Sequence, residues 1–183
     1  MTDKRAAVLD AAIDLLGREG LRGLTHRGAD AAAGVPAGST SNYFRTRRAL
    51  LEGVLDRLVE RDRADVAVLG GGNLPRTEEE LVEMLAGYVM FATGPDAVRT
   101  RARFALFVEA TASPSLRRSV QRRRDELRGM GLAVLAALGS SDPVAGARVL
   151  TDHLDGMILH RLTSDDADLD PRDDLRRMVR ALR

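Results

Sequence analysis

The chain contains no cysteine, which excludes disulfides and thiolate metal sites. Aromatic residues make up only 3% of its 183 positions, and runs of β-branched residues are scarce. No stretch approaches the ~20 apolar residues that a membrane-spanning helix needs. Met1 is followed by Thr2-Asp3-Lys4-Arg5 and an amphipathic segment rather than the apolar run of a signal peptide. The expected location is therefore the cytoplasm, with no membrane partner. Lysine is all but missing: Lys4 stands alone and arginine carries the other positive charges, a bias that suits a GC-rich genome. Strong charge of either sign is absent too, the net value being +1, which taken alone argues against a nucleic-acid protein.

What is present is mostly Ala, Leu, Arg, Glu and Asp, with 44% hydrophobic and 30% charged residues. A chain of this length can bury a real core, and this mixture favours an all-α fold. Charge is unevenly spread. Within residues 1–50, Lys4, Arg5, Arg18, Arg22, Arg27, Arg45, Arg47 and Arg48 oppose Asp3, Asp10, Asp14, Glu19 and Asp30. The excess of three positive charges leaves the remainder slightly acidic. A small basic head on an acidic body fits a site where phosphates are met locally.

Thr25 to Leu51 is the stretch around which the chain is organised. Thr25 is placed to cap a short helix, and Ala31-Ala32-Ala33 offers small side chains for close helix approach. Gly34 supplies a left-handed turn, Val35 plugs the angle, and Pro36 is predicted to open a second short helix. Tyr43-Phe44 closes that helix and Thr46 caps the next. This is a helix-turn-helix layout, which suggests DNA.

Before it, Leu9, Ala12, Ile13 and Leu16 form one apolar face of a helix over about Asp3 to Arg18, ended by Glu19-Gly20. After it, Leu51, Val54, Leu55 and Leu58 stripe a fourth helix running to about Leu69. Gly70-Gly71-Gly72-Asn73-Leu74-Pro75 breaks the chain. Thr77 with Glu80 forms a capping-box pattern before a helix expected to turn Leu81, Met84, Leu85, Tyr88 and Ala92 inward. A sixth helix carries Phe104, Phe107, Val108 and Thr111 on one side, and Ser113-Pro114 starts a long seventh. Asp142-Pro143 and Asp170-Pro171 open the last two, the loop between them being acidic from Ser164 to Leu169. The pattern predicts nine helices and no strand.

The residues Thr25, Ala32-Ala33-Gly34-Val35, Gly38-Ser39, Tyr43-Phe44, Thr46-Arg47 and Ala49-Leu50-Leu51 resemble the tetracycline-repressor (TetR) family of bacterial transcription regulators. The specific motif covers about 45 residues, and the rest matches in architecture. The resemblance implies a head, residues 1–47, that binds DNA, and a helical body, residues 48–183, for effector binding and dimerisation. It implies a homodimer on a palindromic double-stranded operator, repressing until a small molecule binds the body. By position, Thr25, Arg27 and Arg47 fall near the DNA backbone, Ala37, Ser39, Thr40 and Asn42 on the reading helix, and Tyr43 at a phosphate or packing position. Several departures stand out. Ala29 replaces an aliphatic residue, Asp30 a small one, and Thr40-Ser41 the usual Leu-Tyr. Arg47 also stands for the usual lysine, keeping the charge but preferring a forked hydrogen-bond geometry. An acid at position 30 is costly if buried without a partner.

In the body, Met84, Tyr88, Phe91, Phe104 and Phe107 are candidates for an apolar ligand pocket, with Glu109 facing it or paired to an arginine; ordinary core is the alternative. Leu150, Leu154, Met157 and Ile158 with Leu175, Met178, Val179 and Leu182 are candidates for a two-fold four-helix interface, or else complete the core of one chain. The arginines of 117–124 read as a solvated helix face. His153 and His160 lie about 10.5 Å apart along a helix, too far to share one ion, so no metal is expected, and no cofactor. No nucleophile elbow, phosphate loop or paired carboxylates point to an enzyme. The sequence thus predicts a ligand-released repressor. The alternatives are a ligand-independent or activating regulator, or a helical small-molecule-binding protein with a degenerate head.

Overall fold

The computed structural model describes residues 4–69, 74–164 and 169–182, without the side chains of 65–69. Nine helices and no strand occur among the described residues: α1 (Lys4–Gly23), α2 (His26–Ala32), α3 (Ser39–Tyr43), α4 (Arg47–Leu69), α5 (Glu78–Thr93), α6 (Ala97–Ala112), α7 (Pro114–Ala137), α8 (Pro143–Thr163) and α9 (Arg172–Ala181). Residues 70–73 and 165–168, where a glycine-rich break and part of an acidic loop were predicted, lie outside the described residues. The all-α expectation holds. Packing divides the chain into two units, Met1–Ala64 with Ala97–Gln121, and Asp65–Asp96 with Arg122–Arg183.

In the first unit, α1 buries the predicted face of Leu9, Ala12, Ile13 and Leu16. Its regular course is interrupted at Gly20, where φ is +71°, a value open to a residue without Cβ. Leu24, Leu50, Val54, Leu55 and Leu58 join the same core with Ala102 and Leu106 of α6 and Leu116 of α7. Helix α6 does not turn the predicted side inward. Val108 is 68% exposed and Phe104 and Phe107 are half-buried, while Leu106, Ala102 and Ala110 fill the core. Helix α6 lies close to α1: a Cβ at Gly17 would fall 2.0 Å from the Val98 carbonyl oxygen. Arg101 Nε donates to the Gly17 carbonyl at 3.1 Å beside that contact. Asp10 of α1 accepts both Nε and Nη2 of Arg57 of α4 at 2.9 Å, a forked pair that fixes α4 on α1. Deeper in, Asp62 of α4 accepts Arg103 of α6 at 2.7 Å, both residues buried.

In the second unit, Leu81, Val82, Leu85 and Ala86 of α5 pack with Val134 and Leu135 of α7, Leu150 of α8, and Leu175 and Val179 of α9. Met84, predicted inward, is 37% exposed, the buried stripe running instead through Val82, Ala86 and Val89. Thr77 accepts the Glu80 amide, as the capping pattern predicts, and Glu80 reaches back to the Arg76 amide at 2.7 Å. Asp142 caps α8 through the Ala145 amide. Two cross-helix pairs, Arg172–Glu83 and Arg176–Glu79, both 2.8 Å at their closest, lash α9 to α5.

These contacts generate two expectations. Gly17→Ala forces the α1–α6 contact apart and is expected to cost about 1–3 kcal/mol, read as a lower urea midpoint; an unchanged midpoint contradicts the packing. The hydrogen bonds from Arg176 to Glu79 and from Arg172 to Glu83 hold both carboxyls below their ordinary values. Depressed carboxyls stabilise above their unfolded-state pKa and lose that contribution as pH falls through the folded one. Thermal stability is therefore expected to drop below about pH 4.3, and the double variant Arg172→Gln/Arg176→Gln to show a flatter acid limb. Identical acid limbs refute this.

Candidate nucleic-acid interface

The helix-turn-helix is assembled by α2, which is short but held by its cap and its inward face. The Thr25 hydroxyl accepts the Gly28 amide at 2.9 Å, and Ala29 is fully buried against the core. Ala31 and Ala32, expected at a close helix contact, are exposed; the inward face of α2 is that of Ala29 and Asp30. Gly34 adopts φ +63° and Gly38 φ +90°, so two left-handed glycines bracket the turn. Helix α3 begins at Ser39 and not at Pro36, whose carbonyl instead accepts the Ser39 amide and hydroxyl.

Asp30 is the departure that the structure explains. It is 4% exposed and its carboxylate accepts three hydrogen bonds: the Gly38 amide at 2.7 Å, the Thr40 amide at 2.7 Å and the Thr40 hydroxyl at 2.6 Å. Burial pushes the Asp30 carboxyl up, but the bonds from Thr40 and Gly38 and the nearby His26 outweigh it and hold the group below its ordinary value. One turn earlier on α2, His26 Nε2 donates to the Phe44 carbonyl at 2.7 Å. Residues four apart share a helix face, so α2 grips α3 at both ends. Phe44 itself is buried, its ring filling the space where a Cβ on Gly53 would stand.

This grip corrects one candidate contact. Thr40 is fully buried and spends its hydroxyl on Asp30, so it offers nothing to a base. At about 100° per residue, turning Thr40 and Phe44 inward points Asn42 outward between Ser41 and Ser39. Asn42 and Ser41 are exposed, Ser39 is half-buried, and Tyr43 is 43% exposed. Ala37, Thr25 and Arg27 are exposed as well. Arg47 is exposed but its guanidinium donates to the carbonyls of Leu24 and Leu21, tying the start of α4 to the end of α1. Ser41, Arg45 and Arg48, all exposed, were missed as candidates. Helical rotation finds Ser41 once Thr40 is known to face inward.

Elsewhere the candidates scatter. Phe104 and Phe107 meet edge to face at 5.7 Å between ring centres, with Glu109 half-buried nearby on α6. In the other unit Tyr88 and Phe91 are half-buried. None of these, nor Met84, lines the cleft of about 1070 Å³ between α8 and α9, whose walls include His153, Gly156, Met157, His160, Arg177 and Met178. Four interface candidates, Leu150, Ile158, Leu175 and Val179, are at most 5% exposed within the single chain. They are core: α8 and α9 need them to close the second unit. Leu154, Met157, Met178 and Leu182 flank that core, partly buried. No helix among the described residues is long and apolar enough to cross a membrane.

Two short helices joined through left-handed glycines and seated on a third, ahead of six further helices among the described residues, form the helix-turn-helix head of an all-helical protein. The sequence profile described as "Tetracyclin repressor-like, C-terminal domain" matches residues 76–183, more than half of the chain, and the protein belongs to that family. No curated protein matches it. Among solved structures it is similar to a TetR family member from Streptomyces coelicolor A3, with 28% identity, 98% of each chain covered and a TM-score of 0.73. It is also similar to the multidrug binding protein EbrR complexed with imidazole, with 27% identity, 100% of this chain and 96% of that one covered, and a TM-score of 0.74. A transcriptional regulator from Rhodococcus sp. Rha1 shares the fold, with 22% identity, 97% and 95% coverage and a TM-score of 0.80.

Arg47 generates the prediction for this region. As a clamp, its replacement in Arg47→Ala is expected to lower head stability by about 1 kcal/mol while leaving the salt dependence of DNA binding unchanged. A slope shallower by about one unit, with stability intact, identifies it instead as a phosphate contact.

Proposed function

We propose that the protein is a repressor that binds a palindromic operator as a homodimer in the cytoplasm and is released by a small-molecule effector. The observation that carries this reading is the outward edge of α3. Asn42, Ser41 and Tyr43 are exposed there, with Arg27 and Arg45 exposed in the same head and Arg48 exposed directly after it. Asparagine suits a bidentate contact to adenine, and the arginines suit phosphate oxygens. In this reading residues 1–47 meet DNA and residues 48–183 pair the chains and take the effector; no catalytic chemistry is involved. Asp30 is satisfied by hydrogen bonds, so it is no sign of a degenerate head.

Pairing is supported by the exposed face of α8 that borders its cleft with α9. Gly156 lies mid-helix and exposed, and a Cβ placed on it meets nothing. Such a glycine costs helix stability, about 1 kcal/mol against alanine, with no return inside the chain. Its neighbours Val149 and Leu159 are 43% and 42% exposed. A second copy of α8 crossing here uses all three, and two joined heads then meet half-sites one turn, ~34 Å, apart. The likeness to EbrR, solved with ethidium, supports a flat aromatic cation as the class of effector.

The test is a gel shift with duplex DNA from upstream of the protein's own gene, with and without candidate effectors, beside sedimentation of the free protein. The expected results are a dimer, a retarded duplex and release by an effector. Gly156→Arg is expected to yield monomers, and Asn42→Ala to lose about tenfold discrimination at one base position. A monomer that ignores every duplex at low salt contradicts the reading.

A further inference from the structure

We infer that Asp30, which touches no DNA, is a positioning residue that sets the sequence preference of the reading helix. The inference rests on the DNA-binding reading above. Helix α3 spans five residues, too few to hold a helical conformation unaided. Its N-cap, Gly38, has no side chain to cap with. The orphan donors of a helix start are met from outside, by the Asp30 carboxylate on the Gly38 and Thr40 amides. Because the same carboxylate also takes the Thr40 hydroxyl, it fixes the rotation of α3 as well as its start. The Thr40 side-chain bond on the inward face adds to the buried Phe44 ring in resisting a roll of this short helix about its axis. A roll of one residue, about 100°, replaces Asn42 at the outward edge by Ser41 or Tyr43. The departure at position 30 and the departure at position 40 are thus one device: a buried acid and the hydroxyl it selects.

A residue that merely stabilised the head would, when changed, reduce binding to all duplexes alike by lowering the folded fraction. A positioning residue changes the ratio. The experiment selects preferred sequences from a randomised duplex pool with the wild-type protein. It then measures affinity for the selected duplex and for a scrambled one, across salt concentrations, for wild type, Asp30→Asn, Thr40→Val and Thr40→Ser. Asp30→Asn keeps the volume but turns one of the two acceptor oxygens into a donor, which then faces either the Gly38 or the Thr40 amide. It is expected to cut the selected-to-scrambled ratio about tenfold or more, with scrambled affinity and salt slope unchanged. Thr40→Val, which keeps volume and loses only the hydroxyl, is expected to lower the ratio severalfold, and Thr40→Ser to restore it. If Asp30→Asn fails to fold, the Thr40 pair decides. Unchanged ratios, or equal losses on both duplexes, overturn the inference while leaving the DNA-binding reading intact. A wild-type protein that binds no duplex overturns both.

Discussion

A carboxylate taken out of water must be matched by donors or it destabilises the fold by several kcal/mol. In this head the match is made across the turn, between α2 and the first residues of α3. That requirement explains features that look unrelated in the sequence. Gly38 has to be a glycine to bring its amide round at positive φ, and Thr40 has to carry a hydroxyl and face inward. Asn42 then has to face outward. The polar residues of α3, poor choices for a helix interior, divide into one that serves the interior and others that are left for a partner.

The rest of the first unit holds α2 so that this arrangement has something to stand on. Ala29 seats α2 in the core, and His26 secures the far end of α3 through the Phe44 carbonyl. Phe44 rests where Gly53 leaves room on α4, and α4 is bound to α1 by Asp10 and Arg57. Arginine does most of the bridging: Arg47, Arg57, Arg101 and Arg103 each join two helices of this unit. In a chain with a single lysine, the forked guanidinium, which engages two acceptors at once, takes the structural role as well as the candidate phosphate contacts. The second unit repeats the theme on its surface with Arg172 and Arg176.

Helix order and number were legible because caps and breaks are local chemistry. Thr25, Thr46 and Thr77 all cap where the sequence places them, and Gly34 turns left-handed as expected. Faces were less legible. The aromatics of α6 were left open between pocket and core, and Phe104 and Phe107 lie half-buried while Leu106, Ala102 and Ala110 fill the core. Thr40 was placed among the reading residues by its position in the family resemblance, which gives a place on the helix but not its rotation. The rotation is set by Asp30, ten residues away, through a contact no periodicity encodes. The apolar stripes of α8 and α9 were ambiguous for a related reason: Leu150, Ile158, Leu175 and Val179 look alike whether they close a core or meet a second chain.

The central claim is that the start of the reading helix is held by the buried Asp30 carboxylate. Amide hydrogen exchange of the DNA-free protein tests it most directly. The account predicts that the Gly38 and Thr40 amides exchange as slowly as those in the middle of α1, far more slowly than a five-residue helix sustains alone, and that both become fast in Asp30→Ala while α1 stays protected. Gly38 and Thr40 amides that exchange at open-loop rates in the unaltered protein would contradict it.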